Sequence, residues 1–230
     1  AMGLAAPFGS LLVGTGDGAS FFFTDDGSPG GGSYTATALT DGIIEQREAV
    51  GAFRSQMIGS LNGKILRLDD DGSVPPDNPF VGQAGYRPEI YTLGHRNTLG
   101  LIVHPQTEVI WNHENGPNGG DEINIILRGR NYGWPVVSFG RNYPGARISE
   151  HPTREGMESP LVVWLPAIAV AGMAVYTGDQ FPAWRGNVFV GSLREGGIPG
   201  TGHLQRIVFN ARTEELRRES MLTQLRQRIR

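Results

Sequence analysis

The chain has 230 residues, 39% of them apolar and 19% charged, which gives enough apolar mass for a buried core and rules out disorder or a coiled coil. Its 20 basic and 23 acidic side chains leave a net charge of −3 with no basic stripe, so the electrostatic footprint of a nucleic-acid binder is missing. There is no cysteine, which excludes a disulfide framework or thiolate metal site, and no apolar run approaches the ~18–20 residues of a membrane-spanning helix.

Thirty-four glycines and 15 prolines point to many short strands and tight turns rather than a helix bundle. Lys64 is the only lysine, the other basic residues being arginine. That bias suits carboxylate or phosphate binding, although a GC-rich genome produces it too. The opening Ala1-Met2-Gly3 lacks the basic, apolar and cleavage-site pattern of a signal peptide.

In chain order, Ser10–Gly18 reads as a strand ending in a Gly-Asp turn, and Asp25–Ser33 as loop. Ile43–Leu61 has mildly helical spacing and predicts one surface helix. Lys64–Leu68 alternates like a half-buried strand and runs into Asp69-Asp70-Asp71-Gly72. Those acids read as a solvated turn, because no glutamate stands at the twelfth position of an EF-hand loop. Gly100–His104, a turn at 105–107 and Val109–Trp111 predict a hairpin, and Asn187–Leu193 and Leu204–Phe209 a later strand pair. Strand starts near Leu11, Val109 and Val188 lie 98 and 79 residues apart, roughly two units of ~40–50 residues each. An all-β fold follows, with a β-propeller predicted and a sandwich as the rival. Near the C-terminus, Leu216, Met221, Leu222, Leu225 and Ile229 fall at helical spacings, in conflict with that class.

Unusual chemistry concentrates between residues 94 and 135. His95 and His113 have an ordinary reading as hydrogen-bonded loop histidines, and Tyr132 and Trp134 as core aromatics. His113-Glu114 lacks the second histidine of a zinc-protease helix, and Gly116-Pro117 would break that helix. Against these readings, glycines at 116, 119 and 120 free backbone carbonyls to turn inward, and carbonyls beside carboxylates are hard ligands suited to calcium. Arg96-Asn97 follows the apolar strand Ile90–Leu93, where a guanidinium with a neighbouring amide can grip a planar polyanion.

Ordered motifs then identify a resemblance. Gly94-His95-Arg96-Asn97 is followed by His104-Pro105-Gln106-Thr107, by Glu114-Asn115-Gly116-Pro117-Asn118-Gly119-Gly120-Asp121-Glu122-Ile123-Asn124, and by Asn131-Tyr132-Gly133-Trp134-Pro135. Further matches run through Gly63–Arg67, Asp71–Pro75, Asn78–Phe80, Tyr176–Asp179, Phe181–Gly186 and Phe189–Leu193. From about residue 10 onward the chain resembles the glucose/sorbosone dehydrogenase family, whose best-known members are soluble, six-bladed, pyrroloquinoline quinone (PQQ)-dependent aldose sugar dehydrogenases.

The resemblance implies that residues 1–230 form a single β-propeller domain of four to five blades, truncated at both ends. It implies PQQ and calcium as cofactors, a sugar as substrate, a periplasmic or secreted location, and self-association through open blade edges. Arg96 and Asn97 correspond to a pair that contacts the quinone, and Gly116 and Pro117 to carbonyls that hold calcium. Asp121 corresponds to an acid near that site. Arg228 and Arg230 correspond to arginines over the cofactor, with a catalytic role in stabilising developing charge, and imply that the tail is a strand rather than a helix. Arg194 stands where a cofactor-binding lysine is usual, Ala167 where Ser or Thr is, and Val170-Ala171 where Pro-Ser is.

The family's catalytic histidine would fall before residue 1, and none of the five histidines present takes its place. The implied activity is that of a quinoprotein oxidoreductase, oxidising a sugar's anomeric hydroxyl to the lactone, with weak or no turnover by this chain alone. Two alternatives stay open: a non-enzymatic propeller that binds carbohydrate or protein, favoured by Ala167 and Val170-Ala171, and a calcium-dependent lactone hydrolase drawing on Asp17, Asp121 and Asp179.

Overall fold

A computed structural model describes residues 2–6, 9–18, 51–143 and 145–230, with backbone alone for 2–6 and 51. The chain alternates direction strand by strand. β1 (Met2–Ala6), β2 (Ser10–Gly14), β3 (Lys64–Asp69) and β4 (Ile90–Leu93) pair in sequence order as one four-stranded antiparallel sheet. β5 (Thr98–Val103), β6 (Ile110–Glu114), β7 (Asp121–Ile126) and β8 (Val162–Trp164) form a second. β9 (Val170–Val175), β10 (Val188–Ser192), β11 (Leu204–Phe209) and β12 (Glu215–Met221) form the third. The first strand of each sheet packs on the first strand of the next, β1 on β5 and β5 on β9, as in successive propeller blades.

Alternation along each strand supplies the packing between blades. Val188, Val190 and Ile207 face Trp111, Ile123, Val162 and Trp164 in the core between the second and third sheets. Leu12 and Ile65 meet Leu101, Ile126 and Tyr132 between the first and second. Each such side chain removes apolar surface from water on burial, stabilising the stack by about 1.5–3 kcal/mol when fully enclosed.

The described residues make three sheets rather than the four to five blades inferred from spacing. Among the described residues, 70–89 and 127–161 join strands within a sheet and lengthen those units beyond the assumed period, and residues 19–50 lie outside the described set. Within 43–61, residues 43–50 lie outside the described set, as does the loop assigned to 25–33. The remainder holds only a short 3₁₀ turn at Gly51–Ser55, so the predicted helix is not seen there. This stretch is instead tied to β3 by the buried ammonium of Lys64, which donates to the carbonyls of Arg54, Ser55 and Asn62 at 2.8, 3.0 and 2.7 Å.

At the C-terminus, Glu215–Met221 is a strand, and β11 pairing overrides its helical spacing. The strand assignment fails for Arg226–Arg230. Leu222 and Arg226 take left-handed backbone on either side of a 3₁₀ turn at Thr223–Leu225, and beyond that turn the backbone bond to the sheet runs from Ile229 N to Ser192 O at 3.1 Å.

Candidate functional site

Because every strand reverses, the connections 15–63, 94–97, 115–120, 165–169 and 193–203 and the tail after Met221 all emerge at one end of the stack. Register shifts at Ile65/Leu66, Thr98/Gly100 and Gly191/Ser192 fall at that same end. Such bulges re-aim the residues that follow them.

The 94–97 connection begins on Gly94, whose φ is +81°, and a Cβ there would lie 2.5 Å from the Gly133 nitrogen. This close approach seats the Asn131–Pro135 turn beneath the connection. The indole of Trp134 donates to Asp17 Oδ2 at 2.9 Å, and the Arg96 guanidinium lies over its ring, 5.4 Å from the centroid. Trp134 is thus both a core aromatic and the platform for Arg96. From there Arg96 Nη1 donates to the carbonyls of Asn115 and Gly116, both at 3.0 Å.

Two buried carboxylates set this geometry. Glu114 Oε2 accepts the backbone N–H of Arg96 at 2.9 Å and of Asn97 at 3.3 Å, while Oε1 accepts from His95 Nδ1 at 3.2 Å and Asn124 Nδ2 at 3.1 Å. Burial pushes the Glu114 carboxyl up, but His95 and the two backbone N–H groups outweigh it and hold the group below the ordinary carboxylate range. Burial, with the Glu114 charge beside it, pushes Glu122 well above that range.

Asp121 Oδ1 accepts from Gly116 N at 2.9 Å, and Oδ2 from Ile168 N at 2.8 Å and Ala169 N at 2.6 Å. Burial raises its carboxyl despite these donors. It therefore fastens the 115–120 connection to the 165–169 connection.

Gly116, Pro117, Asp121, Tyr143, Ala167 and Arg194 line a hollow of about 250 Å³. A Cβ on Gly116 would lie 2.3 Å from the Gly119 and Gly120 carbonyl oxygens, so this backbone leaves no room for a side chain. Arg96, Gly116, Pro117 and Arg194 are thereby brought together. Asn97 stands on the other side of its connection, bridged to Gly16. Arg228 and Arg230 are exposed at the same end but do not line this hollow. Their segment crosses the third sheet over Gly191 and Gly172, where a Cβ would meet Ile229 O at 2.6 Å and Arg230 C at 3.2 Å.

Other expectations separate under the coordinates. Ala167 does line the hollow, so its missing hydroxyl removes a polar contact there, whereas Val170 is fully buried in the core with its backbone facing Asp121, and neither it nor Ala171 lines the hollow. Asp179 is exposed on the 176–187 connection at the opposite end, paired to Arg185 at 2.8 Å, and does not converge with Asp17 and Asp121. His113 sits on β6 rather than on a loop, buried, with Nδ1 unpartnered. Burial lowers its imidazole to about 4. The sequence reading missed Glu114 and Tyr143. In sequence Glu114 looks like any strand-end acid, and nothing near Tyr143 signals its place at the mouth.

With this geometry in hand, the chain was compared with known proteins. A family model described as Glucose / Sorbosone dehydrogenase matches residues 38–230. Aldose sugar dehydrogenase YliI of Escherichia coli is 43% identical over 143 residues, 61% of this chain and 38% of that protein. Quinoprotein glucose dehydrogenase B of Acinetobacter calcoaceticus is 37% identical over 132 residues, 57% of this chain and 26% of that protein. Among solved structures, a glucose dehydrogenase superposes with TM-score 0.78 at 35% identity, covering 100% of this chain and 56% of the other. The PQQ-bound aldose sugar dehydrogenase of Streptomyces coelicolor superposes with TM-score 0.62 at 25% identity, covering 98% and 49%. The chain thus spans about half the length of these structures, in agreement with an open stack of propeller blades. By its family match and by the fold that carries its motifs, the chain belongs to the glucose/sorbosone dehydrogenase family.

Proposed function

We propose that residues 1–230 are part of a single β-propeller domain whose mouth holds PQQ and a calcium ion, in a protein that oxidises an aldose at its anomeric hydroxyl to the lactone. The observation that carries this reading is the bond from the Arg96 guanidinium to the Gly116 carbonyl at 3.0 Å, with Gly116 and Arg194 lining one hollow. Among the described residues no group of three or more His, Asp or Glu is placed to hold a metal, and both Asp121 oxygens already accept backbone N–H groups. A cation here would rest on the carbonyls of Gly116 and Pro117. The residues fit that demand, since a carbonyl oxygen has two lone pairs and Gly116 can serve Arg96 and a hard cation together.

When bound, the quinone supplies a two-electron acceptor for the sugar's hydride, and calcium supplies Lewis acidity. The chain's own part is to bind and orient. Arg96 and Arg194 provide fixed guanidinium charge for carboxylates, and Trp134 a rigid base under Arg96. Arg228 and Arg230 bring further positive charge to the same end, suited to stabilising negative charge that develops on oxidation. None of the five histidines lines the hollow, so the proton acceptor is assigned to a part of the protein outside these residues.

An absorbance titration with PQQ and calcium tests the proposal. Saturable, calcium-dependent change is expected, weakened about tenfold or more by Arg96→Ala or Arg194→Ala, as loss of a charge-assisted pair would give. No calcium-dependent change would overturn the cofactor reading in favour of a non-enzymatic binder, the class that Ala167 favours. Robust dye-linked glucose oxidation by this chain would overturn the missing-base argument. Export to the periplasm or beyond, and self-association through open blade edges, belong to the same proposal. Cell fractionation and sedimentation check them.

A further inference from the structure

A larger hollow, of about 400 Å³, opens at the end of the stack opposite the mouth. It lies between the second and third sheets, walled by the β5–β6 turn, the 176–187 connection and the β11–β12 turn. No residue of the mouth takes part in it. Phe209 and the edge of Trp111 form its apolar side, packed edge to face with centroids 5.5 Å apart.

Asn210 spends its amide on Glu214 and the Arg212 backbone, but other polar groups of the wall are unspent. His104 is 8% exposed and stacks on Trp111 with centroids 5.2 Å apart. Its Nδ1 accepts the Gln106 N–H at 3.4 Å, which leaves Nε2–H as a donor with no partner among the described residues. Burial lowers the His104 pKa, so the ring is neutral at pH 7. Asn187, 7% exposed, carries a side-chain oxygen without a hydrogen-bond partner. The Gln106 amide and Thr213 hydroxyl also make no side-chain bond among the described residues. The one full charge on the wall, Arg185, is paired with Asp179. A buried polar group without a partner, as at Asn187 and His104, costs stability, and with the exposed Gln106 amide and half-buried Thr213 hydroxyl at the rim the wall offers bonds that a ligand can complete.

We infer that this hollow is a second binding site, independent of the mouth, for a neutral polyhydroxylated ligand, a saccharide unit. Charge neutrality disfavours phosphates and carboxylates. Neutral donors and acceptors beside an aromatic wall match a ring that carries hydroxyls on its edge and C–H groups on its face.

The test is a titration of the whole chain with glucose, maltose and cellobiose, followed by heteronuclear NMR shifts and repeated on three variants. Saturable millimolar binding is expected, with shifts at His104, Gln106 and the Trp111 indole. Gln106→Ala, at an exposed position, and His104→Phe, which keeps the stack on Trp111 but removes both nitrogens, are each expected to weaken it about tenfold. Arg194→Ala, at the mouth, is expected to leave it unchanged. Thermal unfolding of each variant separates lost binding from lost fold, and Gln106→Ala keeps the test valid should His104→Phe not fold. Absence of saturable binding by all three sugars would overturn the inference. Binding abolished by Arg194→Ala and indifferent to Gln106→Ala would overturn it too, by moving the sugar to the mouth, and would leave the PQQ proposal standing.

Discussion

The two contributors to the mouth are held in opposite ways. The second sheet's share, residues 94–97 and 114–121, is cross-linked by buried carboxylates, with Glu114 gripping the Arg96-Asn97 backbone and Asp121 gripping Gly116. The third sheet's share, the arginine-bearing tail after Met221, is exposed and lies on a floor of glycines. One half is preorganised by hydrogen bonds that tolerate no substitute; the other is positioned by the absence of side chains beneath it. On the proposed reading, a site for a cation and a polyanion gains from rigid carbonyls, because they cannot relax away from the cation. Long arginines at its border adjust with little loss.

This contrast is most severely tested at Gly116. Gly116→Ala puts a methyl group 2.3 Å from two carbonyl oxygens, and overpacking against backbone is expected to cost about 3 kcal/mol in urea unfolding. A change under about 0.5 kcal/mol, the usual range of surface substitutions, would show that the 115–120 connection is not rigid.

A pH profile probes the packing behind the rigid half. His113 is neutral in the fold with its pKa lowered to about 4, so the unfolded chain binds the proton first as pH falls below 6.5. Stability is therefore expected to be whole above pH 6.5 and to decline toward pH 4, by about 3 kcal/mol in total. His113→Gln should flatten that part of the profile.

Asp121→Asn removes acceptor capacity facing three backbone N–H groups, and about 2 kcal/mol of stability should go with it. Circular dichroism melts would register the loss, and the PQQ titration should weaken in parallel. The smallest effect belongs to the tail. Arg228→Ala should change stability by less than about 0.5 kcal/mol while still weakening the titration. A large loss of stability there would erase the distinction between the two halves.

Part of the candidate site is legible in the sequence. Arg96-Asn97 after an apolar strand, and Gly116-Pro117 amid glycines, drew notice because packing does not require such residues together. Glu114 was not readable, since a carboxylate buried by its neighbours looks in sequence like any strand-end acid. Nor was the separation of Ala167 from Val170: both depart from the family pattern, yet one lines the hollow and the other fills the core.

By itself the sequence determined the all-β class, most strand positions and the ordered motifs that mark the family, because alternation, turn chemistry and glycine spacing act over a few residues. Only the tertiary structure decided how many sheets the described residues make, that Leu216–Met221 pairs with β11 rather than coiling, and that Asp121 joins two connections while Asp179 faces the far end. Those outcomes depend on contacts between residues tens of positions apart, which local propensity does not encode.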